Sequence, residues 1–378
     1  MPSVLTALKD KYIDARGFHT DRKLLIIESD DWGSIRMPSY ETFCNLQKCG
    51  DHPERDGFLR NDCLETEEEL NDLFAVLNYV SDVKGDPAKV TANFAVANPD
   101  FDKIDVASGQ YFYEPFYETY QRYSASSRTL EKVKEGMAIG CFHPQLHCRE
   151  HMNVNRWMKA LKCNSADARL AYDNRMIGVY ASFSENNRFG YMDAFNTDCT
   201  EIDELNLILS DAAELFEKTF GYESKTFVAS CFVWSKEFEY ALAKNGIVGI
   251  QSAPWQNEAV GTNGIYKLKR KLHYTGQRNR CGQVYTVRNC NYEPAYYDNS
   301  KECVENCFDQ VSRSFYNKKP AIINSHRFNY IGSINKSNSI RNLEGLRDLL
   351  CRIKHSFPDV EFITTDRLVE IMLGDENE

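Results

Sequence analysis

Eight short apolar runs recur through this 378-residue chain, and helical patterns lie between many of them. They are Lys23–Asp30, Val90–Ala97, Met137–Phe142, Lys225–Trp234, Ile247–Ser252, Gln283–Asn289, Pro320–His326 and Val360–Thr365. Runs that are apolar on successive residues read as strands buried on both faces. The intervening patterns have the helical period. Glu65–Val80 places Leu70, Leu73, Phe74 and Leu77 on one face, with acidic residues in its first turn. Glu201–Phe220 repeats this through Leu205, Ile208, Ala212, Leu215 and Phe216. Lys236–Asn245 stops at Gly246, and Asn342–His355 is a further helix. Strands alternating with helices predict an α/β parallel sheet, and this many strands suggests a barrel. Pro38–Gly85 and Met152–Gly221 exceed a simple strand-to-helix loop. They read as helical insertions, near 38–85 and 152–221, on one barrel domain spanning 1–378.

Composition narrows the function classes. The net charge is −10, and the most basic stretch is the short Lys267–Lys271 segment, so no basic face for nucleic acid is expected. Met1–Asp10 lacks the apolar core of a signal peptide, and no run approaches a transmembrane span. The 13 cysteines are odd in number and scattered, with no CxxC pair. This is the pattern of reduced cysteines in a soluble, cytoplasmic protein.

Three segments carry chemistry. Lys23–Gly33 (KLLIIESDDWG) ends an apolar strand in Asp30 and Asp31. α/β sheets place their active groups at that end of a strand, and adjacent carboxylates favour a bound metal or proton. An Asp-Asp pair also fits a turn or a helix cap. Cys141–Asn155 (CFHPQLHCREHMNVN) holds His143, His147 and His151 at four-residue steps. Two histidines so spaced share a helix face and reach one ion. Pro144 opposes a helix through His143, so His147 and His151 are the expected pair. Pro320–Tyr330 (PAIINSHRFNY) ends a third apolar strand in His326, a candidate general acid.

Together these motifs resemble those of the polysaccharide deacetylases, a superfamily of carbohydrate esterases. The resemblance extends from about residue 20 to 370. Ser29–Gly33 (SDDWG) matches the family's first motif, His147–His151 its His-x-x-x-His motif, and His326 its late-strand histidine. Cys148 stands where the family prefers Ser or Thr. The resemblance implies a distorted (β/α)7-type barrel with one divalent metal, most simply zinc, on Asp31, His147 and His151. It implies Asp30 as catalytic base and His326 as general acid. The activity implied is removal of an acyl group, acetyl in most members, from an amino sugar or polysaccharide precursor. The family's third motif carries an Arg-Pro pair that orients the base, and Thr226–Ser235 has neither residue. Arg288 ends another candidate strand and is the candidate replacement. Glu293, Asn291 and Trp234 are candidate substrate contacts, with Trp255 and Phe328 as further aromatic candidates. Two other readings stay open at this point. One is a glycosidase using Asp30 with Glu293 or Glu150. The other is a catalytically silent carbohydrate-binding protein that keeps the fold.

Overall fold

The computed structural model describes residues 12–13, 15–123, 127–178, 191–196, 202–262 and 265–374. Met1–Asp10 and parts of the second insertion, 179–190 and 197–201, lie outside these. The strands are β1 (Lys23–Trp32), β2 (Val90–Ala95), β3 (Ala97–Pro99), β4 (Tyr113–Pro115), β5 (Phe142–Cys148), β6 (Thr226–Val228), β7 (Gly249–Ser252), β8 (Trp255–Thr262), β9 (Ile265–Leu272), β10 (Val284–Val287), β11 (Cys290–Asn291), β12 (Ala321–His326) and β13 (Val360–Phe362). Nine of them form one sheet in the order β10-β7-β6-β5-β2-β1-β12-β11, with β13 also on β1. Every pairing in this sheet is parallel. It curls into an α/β barrel-like wall. β3 with β4, and β8 with β9, form separate antiparallel pairs.

β1 explains why its sequence is apolar without alternation. Leu24 and Ile26 point inward and pack with Ile322 and Leu368. Leu25 and Ile27 point outward into the core shared with the helices. Each of the four is at most 2% exposed. Burial of a side chain this size contributes roughly 1.5–3 kcal/mol, so both faces of the strand hold it in place. Higher on the inward face the residues turn polar, through Glu28 and Asp30.

The first insertion contains helices Tyr40–Lys48 and Glu67–Leu77. The second contains Val154–Lys162, Ala166–Asp173 and Ile202–Phe220. The last two expected helices are Lys236–Lys244 and the longer Lys336–Ser356.

Three expectations need correction. Met137–Phe142 is not a strand: Met137 lies in the helix Thr129–Ile139, which ends at Gly140 in the left-handed region. The strand begins at Phe142 and runs through Pro144 to Cys148. His147 and His151 therefore share no helix face; one ends a strand and the other lies in the following loop. Glu65 is not helical either. The helix starts after Thr66, whose side chain and Glu69 form a reciprocal cap.

Among the described residues no helix is long and apolar enough to cross a membrane. Every cysteine there is unpaired.

Candidate metal centre and its flanking groups

The site forms where the C-terminal ends of β1, β5 and β12 meet, with Arg288 just beyond β10. Adjacent residues in a regular strand face opposite sides of the sheet. Asp30 and Asp31 nevertheless both reach this site, and a bulge is the reason. The β1–β2 register shifts between Ser29 and Trp32, and Asp31 lies at φ 76°. Aspartate tolerates this left-handed region better than most residues. Gly33 follows at φ 76°, where a Cβ would stand 2.6 Å from the Ala95 carbonyl oxygen. A second register shift, between β2 and β5, makes Phe94 face Leu146 and Ala95 face Cys148, leaving His147 as the extra residue of β5. Both strand-borne members of the candidate metal set thus sit at bulges, which re-aim side chains.

Asp31, His147 and His151 are buried, and their ligand atoms cluster within 4.8 Å of one another. Asp31 Oδ1 lies 3.0 Å from His151 Nε2 and 3.5 Å from His147 Nε2. His147 Nδ1 donates to the Val228 carbonyl at 2.8 Å, which leaves the lone pair on Nε2. That Nε2 is buried with no hydrogen-bond partner, as is His151 Nδ1. The orphaned His147 Nε2 and the His151 Nε2, both facing one Asp31 oxygen, make a donor set that fits a divalent ion. Arg36 donates to the other Asp31 oxygen at 3.1 Å. Burial alone would push the Asp31 carboxyl up, but His151 and Arg36 outweigh it and hold the carboxyl well below its usual range.

His143 is elsewhere. It pairs with Asp366 at 3.0 Å and stacks on Tyr222. Strand geometry separates it from His147 because four residues along β5 span most of the strand's length.

Asp30 is held from the opposite wall. Arg288 grips it through two hydrogen bonds of 2.7 Å, and Asn93 donates a third at 2.7 Å. Arg288 also donates to Glu28 at 2.6 Å and to Asn324 at 2.7 Å. Burial opposes ionisation of Asp30, yet Arg288 overrides it and sets the carboxyl at about 2. Arg288 thus fixes the Asp30 carboxylate in place, while Thr226–Ser235 contains no arginine. Where that motif falls, the chain instead makes a tight turn with Cys231 and Phe232 at φ 57° and 54°. Phe232 lies over the Arg288 guanidinium at 5.4 Å.

His326 Nε2 lies 3.9 Å from Asp30 Oδ2, and its Nδ1 faces Glu293 at 2.5 Å. Glu293 is positioned by Asn324 and Asn329. Burial works against the imidazolium, but Glu293, Asp31 and Asp30 raise its pKa to about 9. Phe58, from the first insertion, meets His326 edge-on at 5.4 Å, and Tyr296 stands beside it, 52% exposed.

Trp234 is not at this rim. It is 1% exposed, donates to Glu239 and stacks near His273, so its substrate role is withdrawn. Phe328 is likewise fully buried, whereas Trp255 is 39% exposed. Asn291 contacts Asn324, outside the metal set.

Sequence reasoning missed the ionic layer beneath the site. Arg327, wholly buried, donates to Asp62, Glu65 and the Ser34 carbonyl at 2.7–2.9 Å. Arg36 links this layer to Asp31. Charged residues inside apolar strands, such as Glu28, were the available signal. Asp62 and Glu65 lie in an insertion whose pattern revealed only its helices.

No protein-family profile matches the chain, and no curated protein matches it. Among solved structures it is similar in fold to a candidate polysaccharide deacetylase from Mycobacterium smegmatis, at 9% identity and a TM-score of 0.46, covering 95% of this chain and 93% of that one. It is similar to a candidate glycoside hydrolase or deacetylase from Parabacteroides distasonis, at 10% identity and 0.47, covering 95% and 73%. An α-amylase from Thermotoga maritima is similar at 8% identity and 0.45, covering 92% and 74%. At these identities the function is read from the site's own residues.

Proposed function

We propose that this chain is a divalent-metal-dependent hydrolase that removes an acyl group, acetyl first among them, from an amino sugar or polysaccharide precursor. The observation that carries this is one buried Asp-His-His group flanked by an aspartate paired with Arg288 and a histidine paired with Glu293. Asp31, His147 and His151 would hold the metal, most simply zinc. When bound, such an ion lowers the pKa of water and polarises a carbonyl. Asp30, kept ionised by Arg288, accepts the proton of the attacking water. His326, kept protonated by Glu293, delivers a proton to the leaving nitrogen or oxygen. Two titratable groups driven apart in pKa within 3.9 Å of each other are suited to opposite proton-transfer roles. Arg288 and Asn93 orient the base. Phe58 and Tyr296 offer ring faces and edges for a sugar at the mouth.

The glycosidase reading is weaker on this geometry. Glu293 is committed to His326 and Asn329, and Glu150 to Arg149 and Tyr111. Neither is left as an independent acid opposite Asp30.

The test is release of acetate from a panel of N- and O-acetylated sugars by zinc-loaded protein, with metal content measured alongside. Acetate release that disappears in Asp31→Ala together with the metal supports the reading. A fully loaded protein that binds sugars and releases no acid would make it a binding protein instead.

A further inference from the structure

The sheet fails to close at one seam. β10 and β11 are joined only by Arg288 and Asn289, yet they do not pair; β10 bonds to β7 and β11 to β12. The gap between them is a cavity of about 460 Å³, walled on the outside by the helix Ser300–Tyr316. That volume lies within the range of small-ligand sites.

The lining is one-sided in chemistry. It contains Arg288, Arg313 and Lys319 and several side-chain amides, and it contains no carboxylate, in a chain whose net charge is −10. Among the described residues, the polar groups of the lining left without a partner include several donors. Asn291 Oδ1 accepts from Asn324, so its amide nitrogen is the free end. Gln310 Oε1 accepts the Asn291 backbone N–H, which likewise leaves its amide nitrogen free. Arg313 stands in the wall with an exposed side chain and no ion-pair partner among the described residues. Arg288 is saturated by Glu28, Asp30 and Asn324, and Lys319 donates to the Gly17 carbonyl. The burden of recognition therefore falls on Arg313, Gln310 and Asn291. Guanidinium and amide donors on one wall match the oxygens of a phosphate or carboxylate. Thr275 and Asn289 in the lining are already bonded to backbone groups, but the Asn317 side-chain amide and the Ser314 hydroxyl, which donates to the Gln310 carbonyl and can still accept, line the same cavity and suit a hydroxylated skeleton.

We propose that the β10/β11 seam is a second binding site, distinct from the metal centre, for a small hydroxylated organic anion such as a sugar phosphate. Arg313 supplies the charge, and Gln310 and Asn291 the neutral donors. This site does not depend on the hydrolase reading.

Calorimetric titration of the full chain with glucose 6-phosphate, glucose and inorganic phosphate tests it. Glucose 6-phosphate should bind more tightly than either fragment. Arg313→Gln should weaken it at least tenfold, the scale of one charge-assisted contact. Arg270→Gln, an exposed arginine in β9, should leave it unchanged. No binding of glucose 6-phosphate at about 10 mM would overturn the proposal. So would equal weakening in both variants, or equal affinity for inorganic phosphate and glucose 6-phosphate. An unchanged melting temperature for Arg313→Gln separates lost binding from lost folding.

Discussion

Arg288 is the residue on which the site's charge balance turns. It sits between Glu28 and Asp30, both buried, and its one positive charge is shared by two carboxylates that would otherwise repel; it holds Asp30 ionised, while burial raises the Glu28 pKa. Removing one partner from such a buried pair costs about 3–5 kcal/mol. Arg288→Met should therefore destabilise the fold strongly, as read by chemical denaturation. Asp30→Asn is the gentler probe, because asparagine keeps the shape and still accepts one hydrogen bond. It should retain the metal and lower kcat by about 10²–10⁴, the contribution of a positioned acid–base group. His326→Ala should also retain the metal. Its rate loss should shrink on esters with good leaving groups, since these need no protonation. Equal losses on activated and unactivated esters would remove His326 from the acid role.

At the scale of elements, the sheet is tied at its N-terminal end by Glu361 of β13. Its carboxylate meets Arg22, just before β1, at 2.8 Å and Lys84, before β2, at 2.8 Å. Hydrogen bonding from Arg22, with Lys84 adding to it, lowers the Glu361 pKa from 4.5 to about 2. A carboxylate depressed on folding contributes stability above its unfolded pKa and loses it as pH falls through the folded one. The melting-temperature gap between wild type and Glu361→Gln should thus be full near neutrality. It should shrink between pH 4.5 and about 2. A gap that stays constant across that window would show that Glu361 acts through packing rather than charge. The bulges are the other element-scale device. They cost regular pairing on β1 and β5 and in exchange turn Asp31 and His147 onto one point.

At the scale of the whole molecule, the candidate metal links strands far apart in sequence. A ligand that binds only the folded chain stabilises it by mass action, by about 4 kcal/mol at a thousandfold excess over Kd. Zinc added to metal-free protein should raise the melting temperature, and chelation should reverse the rise. Asp31→Ala and His147→Ala should abolish the shift. A zinc response that survives both substitutions would place the ion elsewhere.

Much of the architecture was legible because periodicity is a local property. Runs such as Leu24–Ile27 and Ala321–Ile323 must be buried on both faces, and that alone implies a parallel sheet wrapped by helices. The candidate groups at strand ends were legible for the same reason: Asp30, Asp31 and His326 each stand a few residues beyond such a run, at the end of the same strand. Residue identity and short-range pattern therefore determined the sheet, the helices and the strand-end acids and histidines. Tertiary structure alone decided which of these groups meet. The four-residue step from His147 to His151 suggested a helix, but a strand bulge and a loop bring the two rings together. Arg288 reaches Asp30 across 258 residues of sequence, and Glu28 and Asn93 join them from other strands. Trp234, a candidate substrate contact at the end of an apolar run, is core, with its indole N–H donating to Glu239 inside. The physical reason is common to all of these: a buried charge must be matched by a partner, and only the closed path of the chain through space determines which partner stands beside it.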